Sequence, residues 1–160
     1  MVHLLPATDD HFAWLLRDAP APSGLREPVG GVDDPVVLKM LRGMTAKLHA
    51  AGGSASWLFV DIGEVVGLCG FKRPADAANT AEIGYGVAES CRRKGYASTA
   101  VGLLITEVET IKAASRLIAE TTASNVESQR VLERNGFLID GVRYDAEDGD
   151  LMIWSRSLAP

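Results

Sequence analysis

The chain has 160 residues, of which 47% are hydrophobic, and a formal net charge of −5. This length can bury one substantial core, so we expect a single domain over residues 1–160. The acidic balance argues against nucleic-acid binding, because nucleic-acid-binding domains usually carry a basic excess, and it is compatible with a cationic substrate.

Cysteine usage and hydropathy narrow the class of protein further. The two cysteines, Cys69 and Cys91, have neither the number nor the spacing of a disulfide framework or a zinc site. The N-terminal residues lack a secretory pattern, and no apolar run approaches the roughly 18 residues that a membrane span needs. We therefore expect a cytoplasmic protein that uses no metal and does not enter a membrane.

The N-terminal third is predicted to contain one strand and two helices. Residues 2–6 form a short apolar strand, and Thr8 can cap the helix that follows it. Residues 18–31 are rich in Pro and Gly and predict a long loop, a feature that often serves a binding site. Asp34 and Pro35 are typical of the start of a second, amphipathic helix.

The central residues change to the period of strands. Two β-branched and aromatic runs flank residues 62–63, which predicts a hairpin. Residues 81–88 alternate, with apolar side chains on one face and Glu82, Gly84 and Gly86 on the other. One face of this strand is therefore expected to pack in the core while the other stays open.

The C-terminal half alternates between helices and strands. We predict a long amphipathic helix over 96–112, a strand over 116–123, a helix over 124–136 and closing strands over 137–145 and 150–158. This order indicates an α/β or α+β fold with a mixed sheet. If the apolar last strand lies at a sheet edge, it would favour a homodimer.

A basic segment separates the alternating strand from the long helix. Arg92, Arg93 and Lys94 precede Gly95, where the helix is predicted to begin. The free N–H groups and positive dipole of a helix N-terminus favour an anion such as pyrophosphate. A solvated basic turn is the alternative, and the glycine spacings of a P-loop or a dinucleotide-binding fold are absent from the sequence.

The last predicted helix has strong signals at both ends. Ser124 and Glu127 match a capping box, and Gly136 matches a left-handed C-terminal position. Asn125 and Ser128 are three residues apart and so share a face at the helix entrance. They either contact a ligand there or only support the cap.

Three segments together resemble the GNAT superfamily of N-acetyltransferases, in its RimJ/RimL-like branch. The segment "RRKGYA" (92–97) is similar to the R/Q-x-x-G-x-G/A signature of the superfamily. The segment "NVESQRVLERNGF" (125–137) resembles the N-x-x-S-x-x-x-L-E-K-x-G-F element of that branch, as does "EIGYGV" (82–87). The resemblance extends over roughly residues 58–157.

The resemblance implies a fold and a co-substrate. The expected fold is a mixed, mostly antiparallel sheet of about six to seven strands flanked by helices. Two parallel strands are expected to splay into a V after a bulge in the fourth strand, with acetyl-CoA in the V. The residues implied to bind the coenzyme are Val87, Arg92, Arg93, Lys94, Gly95, Tyr96, Ala97, Ser98, Asn125 and Ser128.

The resemblance also implies direct attack of an amine on the thioester. Glu82 is the candidate base, acting through water, although a strand residue that is salt-bridged to surface cations is an equal alternative for this carboxylate. Many GNAT enzymes carry a tyrosine acid where this chain has Leu132, so Ser128 is the candidate acid. Tyr85 and Tyr96 are the alternatives for that role, and the apolar face that Tyr85 shares indicates a core position.

The predicted function is transfer of an acetyl group from acetyl-CoA to a primary amine, either a protein N-terminus or a small molecule. A module that binds or senses acyl-CoA without catalysis is the alternative, because the tyrosine acid is missing. Covalent catalysis through Cys91 is a minor alternative, since no motif places a histidine beside it. The acidic residues at 145–150 indicate a solvated turn, with attraction of a cationic substrate as a lesser reading.

Overall fold

The computed structural model describes residues 1–53 and 55–160. The strands are β1 (Val2–Pro6), β2 (Ser56–Asp61), β3 (Glu64–Phe71), β4 (Thr80–Val87), β5 (Arg116–Thr122), β6 (Leu138–Asp145) and β7 (Gly149–Ser157). The helices are α1 (Asp9–Leu15), α2 (Pro35–Ala50), α3 (Tyr96–Ile111) and α4 (Val126–Arg134), with a 3-10 turn at Glu89–Cys91. Within these described ranges, no helix has the length and apolar character to cross a membrane.

All seven strands belong to one sheet in the order β1-β2-β3-β4-β5-β7-β6. Every neighbouring pair is antiparallel except β4 and β5, which run parallel. The predicted fold class, a mostly antiparallel mixed sheet flanked by helices, is therefore confirmed.

The parallel pair separates soon after it forms. β4 pairs with β5 only over Thr80–Glu82. Beyond that point β4 stays paired with β3 as far as Val87, and β5 stays paired with β7 as far as Thr122. The splayed V is thus present, and the side of β4 that faces β5 is left without a strand partner.

A bulge was expected in β4, but the irregularities of the sheet lie in other strand pairs. Within residues 1–53 and 55–160, the register shifts fall between Phe59 and Val60 in the β2–β3 pair and between Ile139 and Gly141 in the β6–β7 pair. β4 keeps an unbroken register against β3. The V therefore arises from the divergence of two regular strands, and the expectation of a β4 bulge was wrong.

Helices cover both faces of the sheet. α3 buries Leu104 and Val108 against Trp57 and Phe59 on one face. On the other face, α1 and α2 contribute residues such as Phe12 to a cluster with β2 and β3. The alternation predicted for β4 is confirmed, because its apolar positions join the α3 side.

Local turn signals correctly predict two element boundaries. Ile62 and Gly63 have φ of 47° and 76°, so both central residues of the β2–β3 hairpin are left-handed, as a type I′ turn requires. Gly136 has φ of 75°, and its N–H donates to Glu133 O at 3.0 Å while the next N–H, that of Phe137, donates to Leu132 O at 3.0 Å. These two bonds complete a Schellman motif at the end of α4.

The start of α4 differs from the prediction by one residue. Asn125, not Ser124, is the N-cap, and its Oδ1 accepts the Ser128 N–H at 3.2 Å. The Ser124 hydroxyl lies instead 3.3 Å from Thr122 Oγ1. The capping box was therefore wrong, because the adjacent Asn is an equally strong cap and the helix begins after it.

The position of the last strand also differs from the prediction. β7 pairs with β5 on one side and β6 on the other, so it is internal, and β6 is the edge strand. The chain reverses at 146–148 and inserts its final strand between two earlier ones, which local sequence does not reveal. The exposed apolar residues of β6 are Leu138, Ile139, Val142 and Tyr144. A dimer stays a prediction, and its expected edge moves from β7 to β6.

A pair of glycine substitutions tests the close approach of β3 to β4. A Cβ at Gly67 would lie 2.3 Å from Gly86 O and 2.9 Å from a ring carbon of Phe59, whereas one at Gly43 in α2 meets nothing within 4 Å. We expect Gly67→Ala to lower the free energy of unfolding by about 1–3 kcal/mol, and Gly43→Ala to raise it by roughly 0.5–1 kcal/mol. Urea denaturation followed by circular dichroism measures both, and equal midpoints would contradict the packing.

Candidate active site

The segment between β4 and α3 is shaped by two left-handed residues. Arg93 has φ of 64° and Gly95 has φ of 79°. Gly95 is the N-cap of α3, and no side chain caps this helix start. Because the first N–H groups of a helix have no partner within it, those of Tyr96, Ala97 and Ser98 are available to a ligand.

A cavity of about 570 Å³ occupies the V, and we call it the wedge cavity. Its lining residues are Tyr85, Gly86, Val87, Cys91, Arg92, Arg93, Gly95, Tyr96, Ala97, Ser98, Asn125, Glu127, Ser128, Arg130, Val131 and Arg134. All the residues predicted to bind the coenzyme are among them except Lys94. Its volume is typical of small-molecule and cofactor sites.

Two arginines of the wedge cavity were missed by sequence reasoning. Arg130 and Arg134 line it from α4, opposite Arg92 and Arg93 of the β4–α3 segment. They are four residues apart, so they share a helix face. That spacing was the only available signal, and on a polar helix it is equally typical of a solvated surface. Both walls of the cavity therefore carry positive charge in a chain whose net charge is −5.

Asn135 fixes the two helices that form these walls. Its Nδ2 donates to Ser98 O at 3.0 Å and to Val131 O at 2.9 Å, so the end of α4 is tied to the first turn of α3. The guanidinium of Arg156 on β7 donates to the carbonyl of Asn135. The position of α4 relative to the α3 N-terminus is thus set by direct hydrogen bonds as well as by packing.

A hydroxyl pair bridges the wedge cavity. Tyr85 OH lies 2.7 Å from Ser128 Oγ and 3.2 Å from the Ser128 carbonyl oxygen. Burial raises the pKa of Tyr85, and the hydrogen bond with Ser128 opposes part of that rise. Tyr85 is therefore not only a core residue, since its phenol reaches from β4 to the first turn of α4 and remains protonated.

A second cavity of about 330 Å³ lies between α2 and the sheet, and we call it the α2 cavity. Its lining residues are Phe12, Asp33, Val37, Met40, Leu41, Met44, Ser56, Leu68, Cys69, Gly70, Phe71, Lys72, Gly84, Tyr85 and Gly86. Gly84 and Gly86 belong to the face of β4 that was predicted to stay open. Tyr85 and Gly86 line both cavities, so the two spaces meet at the middle of β4.

The sequence matches a family model described as an acetyltransferase (GNAT) domain, over residues 5–138. The chain belongs to the GNAT acetyltransferase family. It is 35% identical over 101 residues to the uncharacterized N-acetyltransferase YjdG of Bacillus subtilis (strain 168), covering 62% of this chain and 60% of that protein. It is 31% identical over 100 residues to the ribosomal-protein-serine acetyltransferase of Escherichia coli (strain K12), covering 62% of this chain and 56% of that protein. The matches thus span less than two thirds of either relative.

Solved structures of the same family share the fold over almost the whole chain. RimL, a ribosomal L7/L12 alpha-N-protein acetyltransferase in complex with coenzyme A, aligns with a TM-score of 0.74 at 22% identity, covering 98% of this chain and 94% of that one. Mycobacterium smegmatis RimJ in complex with CoA-disulfide aligns with a TM-score of 0.72 at 23% identity, covering 98% and 81%. The resemblance to the RimJ/RimL-like branch of GNAT proteins is confirmed at the level of fold.

The predicted GNAT base, Glu82, is buried and ion-paired to two exposed cations. Its carboxylate is 3.1 Å from Lys72 Nζ and 3.1 Å from an Arg73 guanidinium nitrogen. Lys72 lines the α2 cavity, whereas Glu82 lines neither cavity. This geometry matches the alternative reading of the sequence, in which Glu82 is an ion-paired strand residue. A role for Glu82 as a base stays a prediction.

Tyr96, an alternative proton donor, and Cys91, an alternative nucleophile, form contacts that do not serve these roles. Tyr96 donates its hydroxyl to Asp61 Oδ2 at 2.7 Å, and this hydrogen bond is the main reason that the pKa of Tyr96 rises to about 12. Cys91 is 2% exposed, and its Sγ lies 3.8 Å from Glu64 Oε1. Neither arrangement favours proton donation by Tyr96 or nucleophilic attack by Cys91.

A matched pair of variants tests the anion site at the start of α3. Gly95 and Gly149 have φ of 79° and 73°, and a Cβ at either meets nothing within 4 Å, so aspartate strains both backbones alike. Gly95→Asp also places a carboxylate against the helix N-terminus of the wedge cavity. We expect its affinity for inorganic pyrophosphate to fall by at least about tenfold.

Gly149→Asp lies at the first residue of β7, directly after the β6–β7 turn, and should leave pyrophosphate affinity unchanged. Isothermal titration calorimetry at low ionic strength measures the dissociation constants of both variants and of the parent protein. An equal loss in the two variants, or no loss in either, would count against an anion site at Gly95.

Proposed function

We propose that this GNAT protein transfers the acetyl group of acetyl-CoA to a primary amine by direct attack in a ternary complex. The observation that carries the proposal is the meeting of two unlike cavities at Tyr85 and Gly86. The wedge cavity is basic and open at a helix N-terminus, and the α2 cavity approaches the same strand from the opposite face. The acetyl donor and the amine acceptor could therefore meet at Tyr85 and Gly86 from opposite faces of β4.

The relatives support the choice of acetyl-CoA. RimL and RimJ are described in complex with coenzyme A or its disulfide, and a further structural neighbour, the microcin C7 self-immunity acetyltransferase MccE, is described in complex with acetyl-CoA. The names of the Escherichia coli relative and of RimL refer to ribosomal-protein acceptors. A protein N-terminus or a small-molecule amine is the proposed acceptor here, and the dimer and the cytoplasmic location remain predictions.

The residues present fit the coenzyme. The pyrophosphate would meet the N–H groups at the start of α3 together with Arg93, Arg130 and Arg134. The pantetheine amides would bond to the unpaired side of β4, as an added strand does. Val87 O now accepts Arg92 Nε at 3.3 Å, a long contact that must open if this carbonyl is to receive an amide of the coenzyme.

Proton transfer sets two requirements on the site. The amine must be neutral, which at pH 7 costs about 1.4 kcal/mol for an α-amine of pKa near 8 and about 4.6 kcal/mol for a lysine-like amine. The departing thiolate must gain a proton. The Tyr85–Ser128 hydroxyl pair lies where the two cavities meet and remains protonated, so Ser128 is the proposed donor and Tyr85 orients it.

Ser128→Ala tests the proposed acid. We expect kcat to fall at least about tenfold while the dissociation constant for coenzyme A changes less than about twofold, because the hydroxyl acts on the leaving group. Thiol release from acetyl-CoA with a panel of amines measures the rate. Ser124→Ala is the matched control, since that serine precedes α4 and does not line the wedge cavity. An unchanged kcat in Ser128→Ala would remove Ser128 from the mechanism.

Glu82→Gln tests the proposed base against a purely structural ion pair. As a base, Glu82 gives a loss in kcat/KM of at least about tenfold at pH 7 that shrinks at pH 9, where more of the amine is already neutral. The affinity for coenzyme A is measured in parallel with kcat/KM and should stay constant.

Glu120→Gln is the matched control for Glu82→Gln. The Glu120 side chain is 11% exposed and is ion-paired to Arg143, and that of Glu82 is 7% exposed. If the two variants lose the same activity at both pH values, Glu82 acts only through its ion pairs.

The alternative is an acyl-CoA-binding protein without catalysis, and Leu132 in place of a tyrosine acid is the observation that favours it. Leu132 is 0% exposed and packs in the core, so it offers no proton. A pure binder would bind coenzyme A and release no thiol with any amine. Turnover with even one acceptor excludes it.

A further inference from the structure

The α2 cavity has an apolar wall and few polar groups. Apart from Tyr85 and the weakly polar thiol of Cys69, the lining side chains with hydrogen-bonding groups in the part of the chain that is described are Ser56, Lys72 and Asp33. Ser56 Oγ is satisfied by Thr45 Oγ1 at 2.7 Å, and Lys72 holds Glu82. Asp33 is therefore the charged group of the cavity that is left to recognise a ligand.

The carboxylate of Asp33 keeps one oxygen for such a ligand. Its Oδ1 accepts the Asp34 N–H at 2.7 Å. Across residues 1–53 and 55–160, no Lys or Arg nitrogen lies at ion-pair distance from Asp33. An exposed carboxylate without a cation at the mouth of a cavity favours a positively charged ligand.

The position of Asp33 relates it to the proposed reaction centre. Its Oδ2 lies 3.7 Å from the point that a Cβ of Gly86 would occupy. Gly86 lines both the wedge cavity and the α2 cavity. The carboxylate thus faces the place where the proposed donor and acceptor meet, and the missing side chain of Gly86 leaves room for an ammonium group there.

We infer that the acceptor is a primary amine with an apolar body, whose ammonium group is held by Asp33 and whose apolar part lies against Met40, Leu41 and Met44 of α2. This inference rests on the proposed function and specifies its substrate class. Methionine side chains are flexible and polarizable, so they can adapt to aliphatic or aromatic groups. A small polar acceptor such as an N-terminal serine would leave its hydroxyl among apolar side chains without a partner.

In the proposed reaction Asp33 binds the ammonium group and takes no part in proton transfer. The bound ammonium first gives one proton to a base or to solvent and becomes a neutral amine. Its nitrogen then forms a bond to the acetyl carbon, the bond from that carbon to sulfur breaks, and the nitrogen loses a second proton. The thiolate takes up one proton, so the products are an N-acetyl amide and free coenzyme A. A free amine and a peptide N-terminus share this chemistry.

Matched acceptors test the inference on the intact protein. L-leucinamide, L-phenylalaninamide and L-serinamide have the same reacting amine and differ in the side chain that would enter the α2 cavity. We expect kcat/KM for the first two to exceed that for serinamide by at least about tenfold. Peptides that begin with Leu or Ser form a second set of acceptors. Activity with only the amides or only the peptides shows whether the acceptor is a small-molecule amine or a peptide N-terminus.

Two variants separate the charge from the apolar wall. Asp33→Asn keeps an oxygen for the Asp34 N–H. It should raise KM for every amine by about threefold to fivefold, with coenzyme A affinity within about twofold of the parent. Asp76→Asn is its control, because Asp76 also accepts backbone N–H groups but lies outside both cavities. Met44→Gln should reduce the ratio of leucinamide to serinamide activity.

The possible outcomes are distinct. Equal use of serinamide and leucinamide, or an unchanged KM in Asp33→Asn, overturns the inference while the proposed acetyl transfer stands. Release of no thiol with any amine, with coenzyme A still bound, overturns the proposed function and this inference together. If Met44→Gln weakens a preference for apolar amines while Asp33→Asn leaves KM unchanged, the apolar wall is retained and Asp33 is rejected as the ammonium site.

Discussion

The site depends on the separation of two parallel strands. β4 and β5 share a ladder only over Thr80–Glu82, and each then continues with its other neighbour. Separation leaves peptide groups on the inner sides of both strands without strand partners, a condition that proteins rarely leave unsatisfied away from water. It also opens the space that the α3 N-terminus and α4 border. A ligand with amide groups and a terminal polyanion satisfies both features of this space.

The two cavities are matched to opposite charges. Arginines from the β4–α3 segment and from α4 surround the wedge cavity, whereas the α2 cavity carries Asp33 beside an apolar wall. In the described part of the chain, four arginines line the wedge cavity, although the chain as a whole has a net charge of −5. These charges lie on opposite faces of a single strand, as selection of the proposed anionic donor and cationic acceptor would require. Gly84 and Gly86, at alternate positions of β4, place no side chain in the α2 cavity.

Local signals predict part of this architecture, and contacts between distant segments decide the rest. Gly95 and Gly136 mark helix ends that depend on a single left-handed residue, so sequence alone locates them. The place of β7 inside the sheet depends on pairing with strands that precede it in the chain. From sequence, Arg130 is predicted to lie on a solvated helix face and Asp33 at the end of a loop. Nothing in the local sequence reveals which cavity either residue borders.

The Tyr85–Ser128 hydroxyl pair lets the proposed mechanism proceed without a tyrosine on α4. Leu132 occupies the position where many members of the family place that residue, and it is fully buried in the core under α3. A phenol reaches α4 nonetheless, because Tyr85 extends from β4 to within 2.7 Å of Ser128 Oγ. Burial keeps this phenol protonated by raising its pKa. In the proposed mechanism Ser128 on α4 gives the proton and Tyr85 orients it from the opposite wall of the wedge cavity, so Leu132 can serve packing alone.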